Sequence, residues 1–303
     1  MSGHSSWGEV VHNGDGPTVS RGAPRADGRV TGMRVGVVGA GGKMGREVCR
    51  TVLARPGQEL VAALDPRHRG ADLAQLVGVD TGGLEVADDL EELTAAGVEV
   101  VVDFSRLEAA RRTLAFCAEA GIHAVVGTTG FTAGDLEVMG QRFAGPAAGA
   151  PNCIVAANFA IGAVLMMRFA ELAAPFFDGA EIVESHHDGK LDAPSGTAMR
   201  TAERMAVARA DAGAGAFPPD RTETSLLDGA RGGAGPAGVR VHSVRLPGLV
   251  AHQEVVLGAV GQSLTIRHDS YDRASFMDGV ALAVEAVATR PGLTLGLEPL
   301  LGL

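Results

Sequence analysis

The chain has 303 residues, 26 basic and 36 acidic, for a formal balance of −10, which argues against a nucleic-acid surface because phosphate contacts need clustered Lys and Arg. Apolar residues make up 46% and Gly fills 43 positions, so the chain reads as globular and turn-rich, of one large or two ordinary domains. No uninterrupted apolar stretch is long enough to span a bilayer and no signal peptide is visible, so the expectation is a soluble intracellular protein with no membrane partner.

Residues 1–32 carry Gly, Ser, Pro, Arg and His without periodicity and read as a disordered extension, since they cannot bury enough to order themselves. From Met33 short β-rich runs alternate with helical stretches. Arg34–Val38 reads as a strand, Gly45–Ala54 as a helix and Glu59–Leu64 as a strand. Val98–Phe104 is a continuous apolar run, the pattern of a strand buried on both faces of a parallel sheet. Leu107–Ala120 reads as a helix, His123–Val126 as a strand, Asp135–Phe143 as a helix and Ile154–Ala157 as a strand. This alternation predicts a doubly wound α/β sheet.

The rhythm changes after Asn158. A long apolar helix over Ile161–Phe176 leads to a strand, Glu181–His186, then a loop and a helix from Gly196 to about Ala210. Residues 211–238, rich in Gly, Ala and Pro, read as a mobile loop. Three β-type runs follow without helices between them, Val239–Leu246, Glu254–Ala259 and Leu264–Arg267, which predicts an antiparallel or mixed sheet and a second domain. The last helix, Arg273–Thr289, can return to the first domain. Cys49, Cys117 and Cys153 cannot all pair and have apolar neighbours, so buried reduced thiols are expected.

The first strand runs into Gly39-Ala40-Gly41-Gly42-Lys43-Met44-Gly45 and then a helix. Glycines allow the sharp turn and let a pyrophosphate approach main-chain N–H groups at the helix N-terminus. Gly39, Gly42 and Gly45 depart by one residue from the usual dinucleotide spacing. Asp65 ends the second strand, 20 residues beyond Gly45, where a carboxylate accepts ribose hydroxyls. An acid there favours NADH, whereas Lys43 at the rim, with Arg67 and Arg69 nearby, favours the 2′-phosphate of NADPH; the expectation is use of both with NADH preferred. Gly127, Thr128 and Thr129 follow one strand of the sheet, and Ala156, Ala157, Asn158 and Phe159 follow another. Ligands of open α/β sheets bind at such carboxyl ends, and the threonine hydroxyls can border a nicotinamide carboxamide.

The segment Glu184–Thr197 places His186, His187 and Lys190 at a strand end, and Pro194-Ser195-Gly196-Thr197 opens a helix with Ser195 as N-cap. A cation beside free helix N–H groups makes a carboxylate receptor, with Lys190 and the amides of Gly196 and Thr197 holding one acid group of a small dianion. A histidine four residues from the lysine can then move a proton. A metal site at His186, His187 and Asp188 is disfavoured, because adjacent strand residues point to opposite faces and no third ligand has convincing spacing.

GAGGKMG (39–45), DFS (103–105), GTTG (127–130), AANF (156–159), SHHDGKLDAPSGTA (185–198) and VHSVRLPGLVAHQEV (241–255) together resemble the 4-hydroxy-tetrahydrodipicolinate reductase, or dihydrodipicolinate reductase, family from about Met33 to Arg290. The resemblance implies a Rossmann-type parallel sheet over 33–157 and 271–303, plus a smaller α+β domain with a mixed sheet over 158–270 for substrate binding and tetramerisation. It implies a cytoplasmic homotetramer that reduces a cyclic dicarboxylate with NADH or NADPH, with loss of water, on the diaminopimelate route to lysine. It further implies that Gly39–Met44 bind the pyrophosphate, Asp65 the ribose, and Gly127–Thr129 with Ala156–Phe159 the nicotinamide end. His186 would be proton donor or acceptor, Lys190 a proton donor, and His187, Gly196 and Thr197 substrate contacts. Pro66 stands where some members carry an arginine, which weakens any NADPH preference. Another glycine-loop dehydrogenase acting on a semialdehyde or sugar, a non-catalytic NAD(P)H-sensing regulator and a metal hydrolase are the competing readings.

Overall fold

The computed structural model describes residues 32–144 and 150–303; the sequence-expected extension over 1–32 lies outside them except for Gly32. In chain order the first part comprises β1 (Met33–Val38), α1 (Lys43–Ala54), β2 (Gln58–Leu64), α2 (Leu73–Val77), α3 (Glu91–Ala95), β3 (Val100–Asp103), α4 (Leu107–Ala120), β4 (His123–Val126), α5 (Ala133–Arg142) and β5 (Cys153–Val155). The second part comprises α6 (Ile161–Ala173), β6 (Gly179–His186), α7 (Gly196–Asp211), β7 (Gly233–Ala234), β8 (Arg240–Arg245), β9 (Ala251–Ala259) and β10 (Gln262–Ser270), and α8 (Met277–Val287), β11 (Leu293–Leu295) and α9 (Glu298–Leu301) close the chain.

Six strands form one parallel sheet in the order β11-β5-β4-β3-β1-β2. Its faces are covered on both sides, which explains why Val100–Val102 are buried without alternation. Val35 and Val37 face a cluster with Val48 and Val52 of α1 and Val280 and Val284 of α8, while Val38 and Val101 face Leu114 and Cys117 of α4. Each such fully buried side chain contributes about 1.5–3 kcal/mol of hydrophobic stabilisation. The last helix therefore does return to the first sheet, although only Met277–Val287 is α-helical and Arg273–Phe276 is a 3-10 turn. The three cysteines are free and buried, and burial pushes the Cys49 and Cys117 thiols up to about 12.

The second sheet has the order β10-β9-β6-β8-β7 and is mixed: β6 and β8 run parallel, and the other pairs antiparallel. Helices α6 and α7 cover one face. The period-2 row Ala180, Ile182, Glu184 of β6 points into that core beside Val255 and Leu257 of β9. Helix α6 serves both cores, because Val164, Met166 and Met167 belong to the first and Ala170 to the second. Its last expected turn, Ala174–Phe176, is 3-10, since Pro175 has no N–H to continue the ladder.

Two expectations are corrected. Residues 211–238 are not only loop: Gly233–Ala234 pair antiparallel with β8, and Phe217 is buried in the second core. Helices α2, α3 and α9 and strand β11 were not anticipated. They are three to five residues long and exist through contacts rather than local propensity, as the full burial of Leu73, Leu93 and Leu297 indicates.

Candidate active site

The glycine turn joins β1 to α1 at the carboxyl edge of the parallel sheet. Gly39 adopts φ +81°, open to glycine at little cost, and its N–H and that of Ala40 donate to the Leu64 carbonyl at 2.8 and 3.1 Å. A Cβ on Gly45 would lie 2.0 Å from the Gly39 carbonyl oxygen, so only glycine lets α1 start this close to the turn. Gly42 caps α1 without a side-chain bond, leaving the first amides, at Lys43 and Met44, for an anion. The donor set suits a nucleotide pyrophosphate, and Lys43 adds a cation at the rim.

Asp65 sits at the end of β2, as the spacing predicts, but its carboxylate is nearly enclosed. It accepts from Gly41 N–H at 3.2 Å and Arg67 N–H at 3.0 Å. The His68 ring lies across the loop with Nδ1 3.5 Å from Asp65 Oδ2, and it occupies the space a Cβ on Gly41 would need. Asp65 thus braces the glycine loop, and His68 stands between its carboxylate and solvent.

At the end expected to take the nicotinamide, Gly127 N–H donates to the Asp103 carbonyl and leaves room for the Phe104 ring, which a Cβ would meet at 2.0 Å. Thr128 borders the cleft, and its hydroxyl donates toward Asp103 Oδ1 at 3.2 Å and the Ser105 carbonyl at 3.1 Å. Thr129 is exposed and borders the cleft. Asp103, buried in the sheet, has its carboxyl pushed above the usual range by burial despite bonds from Ser105, Thr113 and Thr128. Ala156 and Phe159 are buried, and the Phe159 ring packs in the core 5.5 Å from Phe104, so Phe159 offers the cleft no side chain. Asn158 is the link between the halves: Oδ1 accepts from Ala160 N–H at 2.9 Å and Nδ2 points at Thr197 Oγ1 at 3.4 Å.

The histidine segment lies opposite. Ser195 caps α7, its Oγ accepting from Ala198 N–H at 3.2 Å, so the amides of Gly196 and Thr197 are free to meet a carboxylate. Lys190 Nζ donates to both Asp192 oxygens at 2.7 and 2.9 Å. His186 Nδ1 lies 2.6 Å from Glu184 Oε2. Burial pushes the His186 imidazole below its ordinary value, Lys190 and Arg245 add to this, and the Glu184 bond opposes it. His187 is exposed and stands outside the residues bordering the cleft.

Of these groups, His186, Lys190, Gly196 and Thr197 from one half and Thr128, Thr129, Ala157 and Asn158 from the other border one cleft of about 1090 Å³; the glycine turn and Asp65 do not border it. Arg204 of α7 ties the halves further, donating to Glu171 of α6 and Glu298 of α9. Among the described residues no group of three or more His, Cys, Asp or Glu is placed to hold a metal ion, and no helix is long and apolar enough to cross a membrane.

Sequence reasoning missed Glu184 and Arg245. Glu184 was detectable, since it lies two residues before His186 on the same face of β6. Arg245 was not, because only the β6–β8 register brings it opposite His186.

Comparison with known proteins agrees across the chain. Residues 33–159 match the N-terminal model, and 162–301 the C-terminal model, of dihydrodipicolinate reductase. The 4-hydroxy-tetrahydrodipicolinate reductase of Nocardia farcinica is 53% identical over 272 residues, 89% of this chain and 99% of that protein. That of Mycobacterium marinum is 51% identical over 89% of this chain and 100% of its own length. The dipicolinate-bound dihydrodipicolinate reductase from Paenisporosarcina sp. TG-14 superposes with TM-score 0.76 at 41% identity, over 89% of this chain and 99% of that one.

Proposed function

Since the chain belongs to the dihydrodipicolinate reductase family, we propose that it catalyses the NAD(P)H-dependent reduction of (2S,4S)-4-hydroxy-2,3,4,5-tetrahydrodipicolinate to (S)-2,3,4,5-tetrahydrodipicolinate, with loss of water, on the diaminopimelate route to lysine. The observation that carries this reading is the single cleft in which a carboxylate receptor and two protonatable groups face the ends of β4 and β5. A relative of the same fold binds dipicolinate, a planar ring with two carboxylates, which suits that receptor.

When bound, the reduced nicotinamide supplies hydride. The chain's own residues do the rest. The turn Gly39–Met44 would hold the pyrophosphate, with Lys43 as counter-charge, and Asp65 would accept the ribose hydroxyls once His68 moves aside. The segments Gly127–Thr129 and Ala157–Asn158 would line the nicotinamide end, with Ala156 and Phe159 as the supports behind it. The amides of Gly196 and Thr197 would take one substrate carboxylate, aided by Lys190, and His187 would reach the substrate from the rim.

Burial keeps His186 neutral near pH 7, which suits it to accept a proton at Nε2, whereas Lys190, paired with Asp192, is the cation that donates one. Closure of the two halves over the substrate would keep water from competing and strengthen the Lys190 charge. NADH and NADPH both serve, with NADH preferred: the acid at 65 disfavours a 2′-phosphate, and Lys43 and Arg67 temper that repulsion.

The same reading takes 33–157 with 271–303 as the nucleotide domain and 158–270 as the substrate and tetramerisation domain. This is supported by β11 pairing with β5 and by exposed Leu264 of β10 and Val260 in the β9–β10 turn. The enzyme would be a cytoplasmic homotetramer. A coupled assay tests the activity: substrate is generated from pyruvate and aspartate semialdehyde, and oxidation of each reduced nucleotide is followed by absorbance. No oxidation with either one would refute the proposal.

A further inference from the structure

Glu184 is fully buried, and its bonds come from the candidate site and from β8 beside it. Arg245 donates to Oε2 and Oε1 at 2.9 and 2.8 Å, the Ser195 N–H reaches Oε1 at 3.2 Å, and His186 Nδ1 lies 2.6 Å from Oε2. We propose, as a refinement resting on the reductase reading, that Glu184 and Arg245 are positioning residues for His186. Together they fix the proton on Nδ1, leave Nε2 as the atom that trades a proton with substrate, and hold that atom in register with the carboxylate receptor at the start of α7.

An ionised carboxylate only accepts, so the imidazole must present N–H to it and its tautomer is set. Glu184 stays ionised although burial pushes its carboxyl up, because bonds from Arg245, Ser243 and His186 outweigh that and hold it below the usual range. A carboxylate alone in this position would make His186 a strong base. The bidentate guanidinium balances its charge, so the dyad orients the ring without locking a proton onto it.

Arg245 does a second job. Its Nη2 also donates to the Asp192 carbonyl at 2.7 Å, fixing the segment whose carboxylate holds Lys190. One guanidinium therefore sets the place of both protonatable groups. The charged and titratable neighbours of His186 are Glu184 on its own strand, Arg245 on β8, Lys190 with Asp192 in the following loop, and His252, paired with Asp269, and His268 on β9 and β10. Of these, Glu184 bonds the ring directly and favours the imidazolium, and the cations oppose it.

The test is an imidazole ¹⁵N NMR titration of the full chain, from about pH 5 to about pH 9, beside the pH profile of kcat/KM. In Glu184→Gln the His186 midpoint should move down, because the charge that favours imidazolium is gone. In Arg245→Met it should move up, because that charge is no longer balanced. A merely structural role would not split the two variants in opposite directions. In Glu184→Gln kcat should fall about 10–100-fold, less than the ~10²–10⁴ that proton transfer itself contributes because His186 remains, while NADH affinity stays within about twofold. If Glu184→Gln does not fold, Glu184→Asp, which keeps the charge but shortens the reach, should show a weakened Nδ1 bond and a lowered midpoint. Unchanged tautomer and midpoint in both variants, or shifts of the same sign, would overturn the proposal. The NMR arm needs no turnover, so failure of the reductase activity would show separately from failure of the dyad.

Discussion

Gly45→Ala tests whether the closeness of α1 to the glycine turn is what builds the nucleotide site. An ideal Cβ there lies 2.0 Å from the Gly39 oxygen, 2.7 Å from its carbonyl carbon and 2.8 Å from the Ala40 Cα. Real Cβ contacts essentially never fall below 3.0 Å, so backbone must retreat by about an ångström. It has little freedom to do so, since the same Gly39 carbonyl accepts from Gly42 N–H at 2.9 Å and Gly39 N–H donates to Leu64 at 2.8 Å. Alanine gains about 1 kcal/mol of helix propensity, against about 1–3 kcal/mol of overpacking and about 1 kcal/mol for each bond displaced. The net expectation is a loss of about 2 kcal/mol in stability.

The expected effect on ligand is larger, because displacing this turn moves the start of α1, whose Lys43 and Met44 amides are the proposed anion receptor. Losing charge-assisted bonds worth about 3 kcal/mol should weaken NADH roughly 100-fold. The assay is an NADH fluorescence titration beside a thermal melt. Gly140→Ala is the control: it is also a helical glycine, in α5, but a Cβ there meets nothing within 4 Å, so about 0.5–1 kcal/mol of stabilisation is expected. A Gly45→Ala protein with wild-type NADH affinity and melting temperature would refute the steric argument, as would a Gly140→Ala protein equally impaired.

Lys190→Ala should lower kcat/KM about 100-fold, the worth of a proton donor plus a charge-assisted carboxylate contact, and leave NADH affinity unchanged; steady-state kinetics with a direct NADH titration check both halves. His68→Ala should tighten NADH about fivefold by removing the cost of swinging the ring off Asp65, and a weakening would mean that His68 holds the nucleotide instead. Stability should fall on acidification in two stages. His123, His186 and His268 are held below the ordinary histidine range, mainly by burial, so the unfolded chain takes up protons first and stability is lost as the pH drops below about 6.5. Glu181 and Glu184 are depressed by their cationic partners despite burial, so their contribution is present above about pH 4.5 and is lost below it as the folded carboxylates take up protons. Calorimetric melts across that range check the sign, and a melting temperature that rises on acidification would contradict it.

Local chemistry determined much of this protein. The bounds of α4 and β4 follow the sequence reading residue for residue, because an amphipathic run ends at Gly121, whose φ of +74° closes the helix, and an apolar run follows directly. The start of α7 was set by Ser195, whose side chain caps it. The positions of the glycine turn, of the acid after β2 and of the histidine–lysine segment before α7 were likewise legible, since each follows from a local string, whereas the bonds that fix the partners of His186 and Lys190 come from Arg245.

What tertiary structure decided is what depends on residues far apart in the chain. Strand β11 becomes a strand by pairing with β5, about 140 residues earlier. His68 covers Asp65 because a 3-10 turn folds it back, and the Thr128 hydroxyl donates toward Asp103. The pairing of Glu184 with Arg245, 61 residues away, exists only through the register of β6 and β8. Propensity and capping act within a turn or two of helix, whereas burying a charge requires its counter-charge to be brought in from wherever the fold passes, and only packing settles where that is.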